Sequence, residues 1–140
     1  MALPSYEEML NIAYEKLTQD KKSEESVRLE VPEIKSTISG NKTVIYNLEI
    51  IAKAIRRDID HLFKFLLREL ATTGIFKNSE AHFVGKFKQE QLAMKINKYV
   101  KEFVLCKQCN KPDTHLEKTQ IATFLVCEAC GAKESVRTLK

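Results

Sequence analysis

Apolar residues at Leu3, Tyr6, Leu10, Ala13 and Leu17 recur in steps of three and four. They predict one amphipathic helix over residues 3–17. Ser5 and Glu8 stand in capping-box spacing, where hydroxyl and carboxylate each satisfy an orphan backbone N–H. Glu7 and Glu8 also suit the positive end of the helix dipole. From Gln19 to Ser26 the chain reads QDKKSEES, with no large apolar residue, and is expected to be a linker. A helix of about four turns set off by a linker is marginal alone in water. It either folds back on its own core or lies in a groove on another protein; the linker and its acidic flank favour the second.

The pattern then changes. Residues 34–46 predict two short strands joined at Gly40-Asn41. Asn47 is placed to cap a helix through Leu48, Ile51, Ala52 and Ile55. Asp58 or Asp60 opens a second helix, with Ile59, Leu62, Phe63, Leu66, Leu67 and Leu70 on its apolar face and Gly74 as C-terminal cap. Asp60, His61, Lys64, Arg68 and Glu69 are expected on its exposed side. Ile75-Phe76 and His82 to Phe87 read as strands, and Leu92, Ile96, Tyr99, Val100 and Phe103 as a third helical stripe. The β-β-α-α-β-β-α order is long enough for a small core. Two consecutive helices followed by strands also suggest a winged helix-turn-helix. The mixed charge of the second helix argues against it, because a recognition helix offers a denser set of Arg, Lys, Asn or Gln.

Cysteines 106, 109, 127 and 130 form CKQC and CEAC, with 17 residues between the pairs. Two C-x2-C turns each bite one edge of a tetrahedron, which is how zinc is held by four thiolates. Strand-like residues from Ile121 to Val126 and Gly131 after the last cysteine complete the pattern of a zinc ribbon. The ligands expected for one structural Zn²⁺ are therefore Cys106, Cys109, Cys127 and Cys130. A saturated site has no open position for catalysis, and His115 is expected in a surface loop. Thioredoxin-like chemistry needs a single C-x2-C at a strand–helix junction, and an iron–sulfur site is less common at this spacing. The fold class is α+β. Its expected parts are a docking helix over 1–20, a linker over 21–33, a central α/β core over 34–100 and the ribbon over 101–140.

Charge refines this picture. The 140 residues carry a formal net charge of +4. Residues 1–33 hold a net −4, residues 34–100 a net +6 and residues 101–140 a net +2. The basic middle suggests an anionic partner, nucleic acid first. No stretch approaches the roughly 20 apolar residues of a membrane span, and no basic flank precedes an apolar run at the start, so no signal peptide is expected. A cytoplasmic protein with cysteines on metal rather than in disulfides is the expectation. The chain has no G-x4-G-K-[ST], no G-x-S-x-G and only four glycines. The three histidines lie in different elements, so no enzyme is expected.

The helix, the core beginning near SGNKTVIYNLEIIAKAI, and above all HFVGKFKQEQLAMKINKYVKEFVLCKQCNKPDTHL, together with CEACG, resemble the beta subunit of translation initiation factor 2 in its short archaeal form. The likeness covers nearly the whole chain. Eukaryotic initiation factor 5 shares the core and ribbon, but its GTPase-activating role depends on an arginine close to the N-terminus. Here the first arginine is Arg28, beyond the helix. The lysine-rich blocks of eukaryotic beta subunits do not precede the helix, so contacts made by them are not carried over. The resemblance implies a subunit of an alpha–beta–gamma heterotrimer. Its gamma subunit is the GTPase, and the trimer brings initiator methionyl-tRNA to the small ribosomal subunit. It also implies that the N-terminal helix docks on gamma, with Tyr6, Leu10, Ala13, Tyr14 and Leu17 as the buried face. Tyrosines there pair apolar area with a polar tip. The basic residues expected near RNA are Lys42, Arg56, Arg57, Lys86 and Lys88. The alternative from another class is a freestanding zinc-ribbon nucleic-acid binder, such as a transcription factor, for which the helix would be dispensable.

Overall fold

A computed structural model describes residues 3–24 and 29–139, and side chains in 3–17 and 29–139. The chain divides into two units, Met1–Glu30 and Val31–Lys140.

In the first unit, helix α1 spans Tyr6–Glu24. Ser5 and Glu8 make the expected capping box: Ser5 N–H donates to Glu8 Oε2 at 2.9 Å, and Glu8 N–H to Ser5 Oγ at 3.4 Å. The helix runs past the expected boundary at residue 20 and through the first part of the QDKKSEES linker. Lysines and glutamate there are good helix formers, and neither glycine nor proline interrupts them. Glu25 and Ser26, the end of that stretch, lie outside the described residues. Every described side chain from Leu3 to Leu17 is exposed. Tyr6 is 74% accessible, Leu10 41% and Leu17 54%.

The second unit holds two antiparallel sheets. Strands β1 (Ser36–Ser39), β2 (Lys42–Ile45), β3 (Gly74–Lys77) and β4 (Glu80–Val84) form a sheet in the order β1-β2-β4-β3. Gly40, at φ 61°, begins the two-residue turn between β1 and β2. Asn78 and Ser79, at φ 53° and 64°, form the turn between β3 and β4. One sheet face buries Thr43, Ile45, Ala81 and Phe83. The β4 strand ends at Val84, earlier than expected, because Gly85 turns the chain at φ 124°.

Helices α2 (Leu48–Ala54), α3 (Ile59–Glu69) and α4 (Gln89–Tyr99) supply the rest of the core through Leu48, Ile51, Ile55, Leu62, Phe65, Leu66, Leu92, Ile96 and Tyr99. Asn47 precedes α2 but does not cap it with its side chain. Its amide instead accepts from Lys35 N–H at 2.8 Å and donates to Glu33 O at 2.6 Å, tying down the approach to β1. Gly74 is not a cap. Ala71, at φ 49°, takes the left-handed position after α3, and Gly74 begins β3, where a β-carbon would collide with the His82 carbonyl. His61 is buried, contrary to the expected exposed side, and so is Phe65, which the expected apolar face does not include. Their rings pack edge-on against Tyr99 and Phe103, because α3 is covered on two sides.

After Tyr99 the helix widens into a π-helical turn over Val100–Val104. The extra residue lets the paired positions Tyr99-Val100 and Phe103-Val104 all face the core. The core thus extends to residue 104, beyond the expected boundary at 100. The ribbon sheet follows: β5 (Thr114–Lys118), β6 (Thr123–Cys127) and β7 (Lys133–Val136), in sequential order.

Candidate metal centre and basic surface

Two equivalent turns build the cysteine site. In the first, Asn110 N–H donates to Cys106 O at 2.8 Å and Cys106 N–H to Lys111 O at 3.1 Å. In the second, Gly131 N–H donates to Cys127 O at 3.0 Å and Cys127 N–H to Ala132 O at 2.9 Å. Both turns therefore close the same way, and the left-handed residue after each second cysteine is Asn110 (φ 54°) or Gly131 (φ 73°). Asparagine tolerates that conformation better than most side chains, which is why CKQCN and CEACG can share one geometry.

The four Sγ atoms lie within 4.8 Å of one another. Cys106 and Cys130 sulfurs are 3.6 Å apart, and those of Cys109 and Cys127 are 3.5 Å apart. A tetrahedron with metal–sulfur bonds of about 2.3 Å has edges of about 3.8 Å. The donor set and its spacing therefore fit a single thiolate-bound metal ion. Backbone donors assist: Gln108 N–H points to Cys106 Sγ at 3.4 Å. The N–H of Cys130, joined by that of Ala129, pulls the Cys127 thiol down to about 7. Cys106 and Cys127 are buried and Cys130 is exposed.

The five expected basic residues fall in two places. Lys42 begins β2, while Lys86 and Lys88 follow β4. Lys42 pairs with Val84, and beyond it Gly85 N–H donates to Asn41 O at 2.8 Å and Phe87 N–H to Thr43 Oγ1 at 3.0 Å, which ties the segment holding Lys86 to the start of β2. Arg56 and Arg57 lie in the α2–α3 turn instead. Arg56 is exposed. Arg57 points inward, and its guanidinium makes five hydrogen bonds to protein oxygens. Burial pushes its pKa down from the ordinary arginine value.

His115 is a half-buried residue of β5 rather than a loop residue, with Glu128 at 3.2 Å and Glu117 at 3.5 Å from its ring nitrogens. The expected docking residues Tyr6, Leu10, Ala13, Tyr14 and Leu17 lie along one face of α1. Met9 widens that face; it occupies the flanking helical position and was not among the residues expected from the stripe.

A sequence family described as a domain found in initiation factors 2B and 5 matches residues 19–133. The chain is 43% identical over 136 residues to the translation initiation factor 2 subunit beta of Methanoregula boonei, covering 97% of this chain and 66% of that protein. Against the same subunit of Archaeoglobus fulgidus the identity is 39% over 135 residues, covering 96% and 98%. For Methanopyrus kandleri it is 41% over 135 residues, covering 96% of each. The chain thus spans slightly less than two thirds of the first relative and nearly all of the other two. Matched along almost its whole length, the chain belongs to the family of archaeal translation initiation factor 2 beta subunits.

Proposed function

We propose that this chain is the non-catalytic beta subunit of a heterotrimeric, GTP-dependent translation initiation factor, acting in the cytoplasm. It docks on the gamma GTPase through α1, reaches the alpha subunit only through the trimer, and helps deliver initiator methionyl-tRNA to the small ribosomal subunit. The observation that carries this reading is the unburied apolar face of α1. A 19-residue helix with Tyr6, Leu10 and Leu17 in water gains little on its own. Burying each such side chain on a partner is worth about 1.5–3 kcal/mol. Tyr14 and Ala13 extend the same face.

The four cysteines hold one Zn²⁺ in this reading. Zinc supplies no reaction here. It replaces the apolar core that a three-stranded ribbon is too small to build. Lys42, Lys86, Lys88 and Arg56 are the RNA-facing residues. Arg57 contributes through its charge, its donors being engaged within the protein.

Size-exclusion co-elution with the cognate gamma subunit tests the docking. The full chain should co-elute, whereas Leu10→Asp/Leu17→Asp should elute alone with an unchanged melting temperature. Co-elution of the double variant would remove α1 as the docking element. If the wild type also fails to co-elute but binds RNA, the freestanding nucleic-acid binder is the better reading.

A further inference from the structure

Helix α2 ends in a Schellman turn. Arg56 N–H donates to Lys53 O at 3.2 Å, and Arg57 N–H to Ala52 O at 3.0 Å. The left-handed position of this turn is held by Arg56, at φ 55°. Helix α3 ends identically, with Ala71 N–H donating to Arg68 O and Thr72 N–H to Leu67 O. A β-carbon in this conformation costs about 1–2 kcal/mol, which glycine avoids. The chain thus keeps a long cationic side chain where glycine is favoured. Backbone strain of this kind is a pointer to function when the surroundings supply a role.

The surroundings do. The α2–α3 turn and β5 enclose an open notch of about 320 Å³, lined by Arg56, Arg57, Asp58, His61, His115 and Lys118 among others. Among the described residues, Asp58 is its one lining carboxylate. Arg57 forms part of the wall as a fixed charge, with its N–H groups turned to the backbone. The His115 ring faces Glu117 and Glu128. Among the described residues, Arg56 and Lys118 take part in no ion pair. They stand on separate elements across the notch and are both exposed. His61 reports the local field. Burial, and then the charges of Lys118 and Arg57, hold its imidazole down at about 4.

We propose that Arg56 and Lys118 grip an RNA phosphodiester at this notch, with Arg57 as the fixed positive charge beside it. The proposal rests on the reading of this chain as an RNA-contacting subunit, and it assigns a specific phosphate site to it. A protein partner is the weaker fit. Among the described residues, Leu116 is the only apolar one lining the notch, and protein interfaces are anchored by buried aromatic and aliphatic side chains. Phosphate binding needs charge and access, and carries no base preference.

The test uses the full, zinc-loaded chain and an initiator tRNA transcript, with fluorescence anisotropy across a KCl series. Arg56→Gly and Lys118→Gln are measured singly and together, alongside melting temperature and gamma co-elution. Each single change should weaken binding severalfold and lower the salt slope by about one; the pair should lower it by about two. Arg56→Gly should do so while leaving the melting temperature unchanged or higher, since glycine relieves the turn. That opposite movement separates a lost contact from a damaged fold. Wild-type affinity and salt slope in the double variant would overturn the proposal while leaving the subunit reading intact. So would the absence of RNA binding by the wild type. Unchanged RNA binding with weakened gamma co-elution would make the notch a protein-docking site and overturn it as well.

Discussion

Arg57 and Thr114 join the core to the ribbon. Arg57 Nη2 donates to Thr114 Oγ1 at 2.6 Å, and Nη1 to Thr114 O at 2.9 Å. The same guanidinium donates twice to Phe103 O, at 2.9 and 3.2 Å, and Thr114 Oγ1 donates to Val104 O. Phe103 and Val104 carry the last carbonyls of the α4 and π-helical run, which have no partners within the helix. A cation at a helix C-terminus also interacts favourably with the dipole. One arginine from the α2–α3 turn and one threonine from the start of β5 therefore cap the helix that leads into the ribbon. Arg137 adds a second tie by pairing with Glu69 and Glu102.

Replacing Arg57 should cost far more than losing a surface ion pair, which is worth about 0–1 kcal/mol. Arg57→Met leaves the Phe103 and Thr114 carbonyls short of donors, and a loss of about 2–4 kcal/mol is expected in urea unfolding. Arg57→Lys should recover little, because an ammonium cannot span both carbonyls as the planar fork does. Full recovery by lysine would show that charge alone matters.

Glu69 gives the fold a pH dependence. Lys98 at 2.8 Å, Arg137 at 3.2 Å and Lys95 at 3.3 Å surround its carboxylate. Led by Lys98, they hold its pKa down at about 2, below the usual 4.5. A depressed carboxylate contributes stability above its unfolded pKa and loses it as pH falls through the folded one. Glu69→Gln should therefore cost about 1–3 kcal/mol at pH 7. The gap to wild type should narrow from about pH 4.5 and nearly close by about pH 2. Urea unfolding of both proteins across that range checks it; a constant gap would refute the assignment to ionisation.

Much of this architecture is legible in the sequence because its signals are local. The Ser5–Glu8 box, the Gly40-Asn41 turn and the two C-x2-C pairs need only spacing. What escapes is set by distant neighbours. His61 reads as a surface residue on α3 until Tyr99 and Phe103 cover it, with Tyr99 hydroxyl 2.8 Å from Nδ1. Asn47 reads as a helix cap but bonds residues 12 and 14 positions earlier. The hydrogen bonds of Arg57 to Phe103 and Thr114 are hidden too, because nothing near it in sequence points to either residue. At the cysteine site all four candidate ligands were visible. The equivalence of Asn110 and Gly131 was hidden by the difference in residue type.

The two glycine-sensitive positions after α3 should respond in opposite directions. Ala71→Gly relieves a left-handed alanine, offset by the larger entropy of glycine in the unfolded chain, for a net gain of about 0.5–1 kcal/mol. Gly74→Ala drives a methyl into the His82 carbonyl and towards Leu67. It should cost about 1–3 kcal/mol. Thermal melts of both variants decide; stabilisation at residue 74 would contradict the close approach of β3 and β4.

Metal removal should separate the ribbon from the core. The ribbon buries Cys106, Leu125 and Cys127 but few other apolar side chains, so without an ion on its four sulfurs the turns at 106–111 and 127–132 lose their common anchor. The core keeps its own apolar interior, including Tyr99, Phe83 and Phe65. A strong chelator, or Cys106→Ser, should release the ion held by the four sulfurs and collapse the amide dispersion of residues 106–136 in NMR spectra. Signals from β2, β4 and α2 should persist. Thr114 sits in the ribbon but caps Val104, so resonances of the π-helical turn should also shift, carrying the loss as far as Arg57. A ribbon that keeps its dispersed signals after metal removal would show that β5, β6 and β7 fold without the ion, and would reduce the cysteine cluster to a binding site added to a stable sheet.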